Sequence, residues 1–375
     1  MHLGIYIHIP FCKKKCNYCS FYSIEDISFI DSFIKALLKE FETKTQLYSN
    51  LIEHYEAVTI FVGGGTPTIL NKKSLEIILQ KILHTINKNI VEFTFEANPE
   101  SINEEKLKIL KDYGVNRLSI GIQSFDDNTL KLLGRPHTLE TALKSYEISK
   151  KYFNNISIDL IAGIPGYPID YNKYESYIKN LQPQHISCYL LSKDKKSSWF
   201  KNIQIDDEEQ TKDYKIICKI LKSLKYCHYE VSNFCKKGKE CKHNINYWHR
   251  GEYLGFGPSA VTFIKNAVEN ALRIQNVSDL KSYILNPLKC KKEKIDPIKA
   301  FWETIFLKLR LKEGLYEKEL LQFKNLINLK SFIKNLDLLC EKHLIKKTKN
   351  RYYIPEKHFL IMNEIVLWLM KQSNA

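Results

Sequence analysis

Tyr6-Ile7-His8-Ile9-Pro10-Phe11-Cys12-Lys13-Lys14-Lys15-Cys16-Asn17-Tyr18-Cys19 lies near the start of the 375-residue chain. The apolar run before Pro10 reads as a short strand. Three cysteines then follow within eight residues, spaced Cys-x3-Cys-x2-Cys. Thiols packed this closely point to a metal. Three ligands are one too few for a closed zinc site or a fully ligated four-iron cluster. The next residue, Ser20, is not a fourth cysteine. A cluster held by three cysteines keeps one iron open to a substrate or cofactor, which makes this loop the candidate active site. The spacing alone also admits a zinc site completed from elsewhere, or three thiols with no shared role.

Outward from this loop, strands and helices alternate. Strands are expected over 4–9, 57–62, 92–96, 117–121, 156–161 and 186–190, with helices over 31–48, 74–86, 103–113, 126–151 and 171–181 between them. Ser74 is read as the N-cap of the second helix. Gly114 stops the third, and Gly134-Arg135-Pro136 breaks the fourth. About six such units argue for a parallel sheet with helices outside, as a partial barrel of the TIM type. In such folds the ends of the strands converge on one site, and the glycine and polar signals here all follow strands. The alternation stops near Gln204. A helix over 206–225, an extended piece over 229–234 and polar loops follow, and from Asp296 the chain is mainly helical with a small wing at 352–355. The expected organisation is an α/β barrel over 1–203, an extension over 204–295 and a winged-helix-like module over 296–375.

Hydrophobic residues form 44% of the chain, enough for a full core. The ten cysteines do not show the regular spacing of a small secreted scaffold. No signal peptide or apolar span of about 18 residues is evident. The expected setting is cytoplasmic and reducing. The charge of +15 is spread along the chain among Ile and Asn, in the manner of a compositional bias. A nucleic-acid partner is not expected, and peripheral attachment to an anionic membrane is left open.

Individual residues carry further signals. Gly63-Gly64-Gly65-Thr66-Pro67-Thr68 brings three glycines to a strand end, where backbone can approach a ligand or simply turn tightly. Glu96 ends a strand, and Asp159 sits inside an apolar one, where an acid needs a partner. Gln123 and Arg135 are less distinctive. His243-Asn244-Ile245-Asn246-Tyr247-Trp248 sets an imidazole among aromatic rings. Such a group suits haem or a satisfied histidine in a seam. Cys235 and Cys241 flank it as a weaker candidate for a second metal pair.

Together these motifs resemble the radical S-adenosylmethionine (SAM) superfamily, in its coproporphyrinogen-oxidase-like branch. The resemblance rests on Tyr6 to Cys19, on Gly63 to Thr68, on Asn116-Arg117-Leu118-Ser119-Ile120-Gly121-Ile122-Gln123-Ser124-Phe125 and on Gly134-Arg135-Pro136-His137. It implies that Cys12, Cys16 and Cys19 hold a [4Fe-4S] cluster whose open iron takes SAM. It implies cofactor contacts at Tyr6, Gly64, Gly65, Thr66 and Glu96, with Tyr18 beside the cluster. Gln123, Arg135 and Asp159 match positions around a second SAM in the oxidase, and Val261 matches a further pocket position. The oxidases carry an extra cysteine where this chain has Phe21. The haem chaperones of the branch lack it and carry a motif like His243 to Trp248. The resemblance therefore implies haem binding at His243 and transfer of haem to acceptor proteins. It also implies an electron donor such as a flavodoxin or ferredoxin. Radical decarboxylation of coproporphyrinogen III is the alternative.

Overall fold

Six parallel strands surround an interior that is polar, a reversal of the usual packed barrel. They are β1 (Leu3–Ile9), β2 (Ala57–Gly64), β3 (Asn89–Ala97), β4 (Arg117–Gln123), β5 (Ile156–Ala162) and β6 (His185–Leu190). The computed structural model describes residues 2–199, 203–266 and 270–373. Successive side chains on a strand face opposite ways. On one face Ile5, Ile7, Val58, Ile60, Phe93, Phe95, Leu118, Ile120, Ile158 and Ile186 enter a single core with the outer helices. On the other stand Tyr6, His8, Thr59, Glu92, Thr94, Glu96, Arg117, Ser119, Ser157, Asp159 and His185. TIM barrels fill this space with branched apolar side chains. Polar groups here leave it available to chemistry.

The predicted elements recur with small shifts at their ends. The helix expected at 74–86 is Lys72–Thr85, and its cap is Asn71, whose side chain accepts from Ser74 N–H. Ser74 is therefore a buried residue of the first turn rather than the cap. Asn103 caps Glu104–Asp112, and Gly114 follows it with φ +81°.

Beyond β6 the sheet grows at both edges, which periodicity did not reveal. β7 (Cys227–Glu230) and β8 (Asn233–Cys235) form a hairpin that pairs antiparallel with β6. β9 (Tyr253–Phe256) pairs parallel with β1 on the opposite edge. β10 (Val261–Lys265), β11 (Ala271–Asn276) and β12 (Cys290–Ile295) then extend it antiparallel. The order is β12-β11-β10-β9-β1-β2-β3-β4-β5-β6-β8-β7. β12 reads Cys-Lys-Lys-Glu-Lys-Ile, too polar to resemble a strand, because its outer edge meets solvent.

A buried ion pair locks this extension to the helix Ile30–Leu47. Lys44 Nζ lies 2.7 Å from Glu40 Oε1 and donates to Gly255 O and Asn276 Oδ1. Glu40 also accepts from Gly257 N–H, Asn276 Nδ2 and Tyr283 O–H. The pair is affordable at that depth because its other valences are satisfied. The C-terminal part combines helices Pro297–Leu309, Leu329–Glu341 and Met362–Ser373 with a three-stranded sheet containing Arg351–Tyr353. Its own core draws in Phe263 and Ala271 from the large sheet. The boundary expected near 203 falls beside residues 200–202, outside the described residues.

Candidate functional site

The cysteine loop leaves β1 at the C-terminal end of the barrel and is tied down by backbone. Cys12 N–H donates to Ile24 O, and Ile24 N–H donates to Pro10 O at 2.7 Å, closing the loop on itself. His8 adds a third tie. Its Nε2 lies 2.8 Å from Tyr22 O, a pure acceptor, so Nε2 carries the proton. Nδ1 therefore accepts from Tyr6 O–H at 3.0 Å. Burial holds His8 neutral, at about 4. The Tyr-x-His alternation in β1 is the sequence signal for this role.

The three glycines after β2 serve this packing. A Cβ on Gly63 would meet Glu96 at 2.6 Å, and one on Gly64 would meet the His8 ring at 2.5 Å. One on Gly65 would meet Phe11 O at 2.5 Å. Gly65 and Thr66 N–H groups donate to Ile9 O and Phe11 O. The glycine turn is thus pressed against the cysteine loop and the neighbouring strand.

Cys16 is buried, and Cys12 and Cys19 are partly buried. Burial pushes up the thiols of Cys12 and of Cys19, the latter to about 11. Thr66 Oγ1 donates toward Cys12 Sγ at 3.7 Å, and Arg135 Nη1 toward Cys16 Sγ at 3.3 Å. Tyr18 stands against Arg135 and packs on Leu133, Ile161 and Leu191. Among the described residues no three His, Cys, Asp or Glu side chains converge on one point for a single ion. Donors aimed at sulfur suit thiolates that carry negative charge, and a cubane seats its sulfurs on separate corners. The donor set fits the cluster.

Glu96 accepts from Gly64 N–H at 3.0 Å. Burial first, then repulsion from Asp159, raises its carboxyl to about 7. Asp159 is raised mainly by burial and faces Ser119, at 3.4 Å, and Arg117. Gln123 takes φ +70°, rare for a residue with a Cβ.

Below, the short helix Lys242–Trp248 rises against the starts of β1–β3. Glu92 Oε2 accepts from Lys242 N–H at 2.8 Å, and Oε1 from His243 N–H at 3.0 Å and from Cys241 Sγ. His243 is 1% exposed. Its Nδ1 lies 2.9 Å from Thr59 Oγ1 and its Nε2 lies 2.8 Å from Tyr247 O–H. In this conformation neither ring nitrogen is free, and burial lowers the imidazole to about 3. Cys241 is engaged with Glu92, and Cys235 stands opposite Cys227 across β7 and β8. They do not face each other as a metal pair.

A cavity of about 970 Å³ joins the two regions. Tyr6, Gly64, Glu96, His243 and Val261 line it, together with Lys15 and Phe21 from the cysteine loop. Aromatic rings of Phe61, Tyr247, Trp248, Tyr253, Phe263 and Phe306 form much of its wall. Trp248 Nε1 finds no acceptor among the described residues, while Arg310 stacks on its ring at 4.5 Å. Gln123, Arg135 and Asp159 lie around β4, β5 and the following loop, outside that lining.

An incomplete parallel barrel with a Cys-x3-Cys-x2-Cys loop at its mouth defines a radical SAM protein. The radical SAM superfamily model matches residues 6–173. Escherichia coli coproporphyrinogen III oxidase (HemN), a radical SAM enzyme, shares the fold with a TM-score of 0.81 at 20% identity, over 98% of this chain and 90% of that one. The Bacillus subtilis (strain 168) protein named heme chaperone HemW is 32% identical over 96% of this chain and 97% of its own. The Lactococcus lactis subsp. lactis (strain IL1403) HemW is 32% identical over 96% and 95%. The chain belongs to the HemW family of radical SAM proteins. Membership implies a [4Fe-4S] cluster and SAM. Among the described residues no helix is long and apolar enough to cross a membrane.

Proposed function

We propose that this chain is a cytoplasmic haem chaperone, binding haem in the aromatic cavity and passing it to acceptor proteins. The observation that carries the reading is the cavity itself. It is large enough for a flat macrocycle and is walled by aromatic rings. Lys15 and Lys196 add cationic groups to its lining. Phe21, 64% exposed, stands where the oxidase-type sequence has an additional cysteine.

Cys12, Cys16 and Cys19 hold the cluster in this reading, and the cluster supplies an open iron for SAM and a route for one-electron chemistry. Tyr6, Gly64, Gly65, Thr66 and Glu96 contact SAM, with Glu96 accepting from its ammonium or ribose hydroxyls. A flavodoxin or ferredoxin serves as electron donor. His243 contacts haem once its ring leaves Thr59 or Tyr247, so haem entry is coupled to movement of the 242–248 helix.

The test is anaerobic reconstitution followed by haem titration. His243→Ala retains less haem than the parent by absorbance, and equal retention would remove that residue from the haem site. Changing Cys12, Cys16 and Cys19 together to Ala abolishes the brown chromophore. Iron at the parent level in that variant refutes the cluster assignment. The same preparation, assayed for protoporphyrinogen formation, forms none; turnover would return the chain to the oxidases.

A further inference from the structure

A polar relay connects two of the three loop cysteines. Arg135 Nη1 donates to Cys16 Sγ at 3.3 Å, and Nη2 donates to Asn98 Oδ1 at 2.7 Å and Gly121 O at 3.0 Å. Asn98 Nδ2 donates to Thr66 Oγ1 at 2.7 Å, and Thr66 Oγ1 points at Cys12 Sγ at 3.7 Å. The direction of every bond follows from chemistry. A guanidinium only donates, so the Asn98 oxygen must face Arg135 and its amide nitrogen must face Thr66. Thr66 accepts there and spends its one proton on Cys12. The Thr66 and Asn98 ends come from the strand ends of β2 and β3, and Arg135 from the break after the helix Asp127–Leu132. Gly121 makes room for the arrangement, since a Cβ there would lie 2.9 Å from Asn98 Oδ1.

We propose that Arg135, Asn98 and Thr66 are positioning residues that raise the reduction potential of the cluster held by this loop. They do so by aiming a cationic donor at Cys16 and a neutral donor at Cys12. An added electron makes a cluster more negative, so hydrogen bonds and positive charge at its sulfurs stabilise the reduced form more. Asn98 is the keystone because both arms hang on its one amide. Both terminal nitrogens of Arg135 donate into this relay. The inference rests on the cluster reading and is independent of haem.

The test is an anaerobic redox titration of the reconstituted full chain, followed by electron paramagnetic resonance, with iron content measured first. Arg135→Gln lowers the midpoint potential enough to shift the one-electron equilibrium about tenfold, or about 59 mV. Asn98→Ala lowers it comparably, and the double variant falls no further than the larger single one, because loss of Asn98 already takes Arg135 off Cys16. Thr66→Val loses only the neutral donor at Cys12, so its fall is smaller than that of Asn98→Ala. Arg135→Lys replaces Arg135→Gln if the latter loads no iron; it keeps the charge, loses the planar fork and still falls. An unmoved potential at full iron overturns the relay, as do single shifts that add in the double variant. A parent chain that takes up no iron overturns the relay and the cluster together.

Discussion

Replacing Glu92 by Gln tests how the helix carrying His243 is held. The two carboxylate oxygens face donors only: the N–H groups of Lys242 and His243 and the Cys241 thiol. An amide of the same shape offers one acceptor and turns an NH2 group toward another donor. At least one charge-assisted bond is lost, worth about 1.5–3 kcal/mol. The buried Arg117 also loses a countercharge. Burial opposes its charge, which the carboxylates of Glu92 and Asp159 sustain. Removing one partner from such a set costs about 3–5 kcal/mol in all. For a chain of this size that corresponds to roughly 4–6 °C in Tm. The assay is a thermal melt at neutral pH, paired with hydrogen exchange at the Lys242 and His243 amides, which lose protection first. A Tm within about 1 °C of the parent, with both amides still protected, would show that the helix is held by packing alone.

Three further outcomes follow from the same geometry. Gly64→Ala puts a Cβ against the His8 ring at a φ of +113°. The backbone strain costs about 1–3 kcal/mol, displacement of His8 unties the cysteine loop, and iron loading on reconstitution falls; parent-level loading refutes it. Glu96 keeps its proton in the folded chain up to about 7, whereas the unfolded value is 4.5. Its contribution to stability therefore declines as pH rises through that window. Glu96→Gln gains Tm relative to the parent on going from pH 5 to pH 8, and a pH-independent difference between the two sinks the argument. His8 and His243 are held neutral by burial, at about 4 and about 3. The unfolded chain binds those protons first, so stability is lost as pH falls below 6.5, and His8→Gln flattens that slope in acid melts.

The cysteine loop and the glycine turn were legible because each is local. Cys-x3-Cys-x2-Cys needs only its own spacing, and the turns at Gly63 to Gly65 follow a strand. What the glycines pack against was not legible. Their backbones are close to the protein's own Glu96, His8 and Phe11, contacts between segments far apart in sequence. Asn98 gave no sign, since an Asn before Pro99 reads as a turn residue. The polar interior was equally hidden. Strands such as Ile-Ser-Ile-Asp-Leu over 156–160 look apolar until the alternate residues are seen to face inward.

By itself, the sequence determined the order of strands and helices, the parallel barrel and the thiol trio, because hydrophobic period and ligand spacing are properties of short windows. Only the tertiary structure decided which strands close the flanks and that β9 lies beside β1. It alone decided that both nitrogens of His243 are occupied by Thr59 and Tyr247, and that Arg135 reaches Cys16 from 119 positions away. Such contacts depend on distances across the folded chain, and those arise when the apolar faces are buried together.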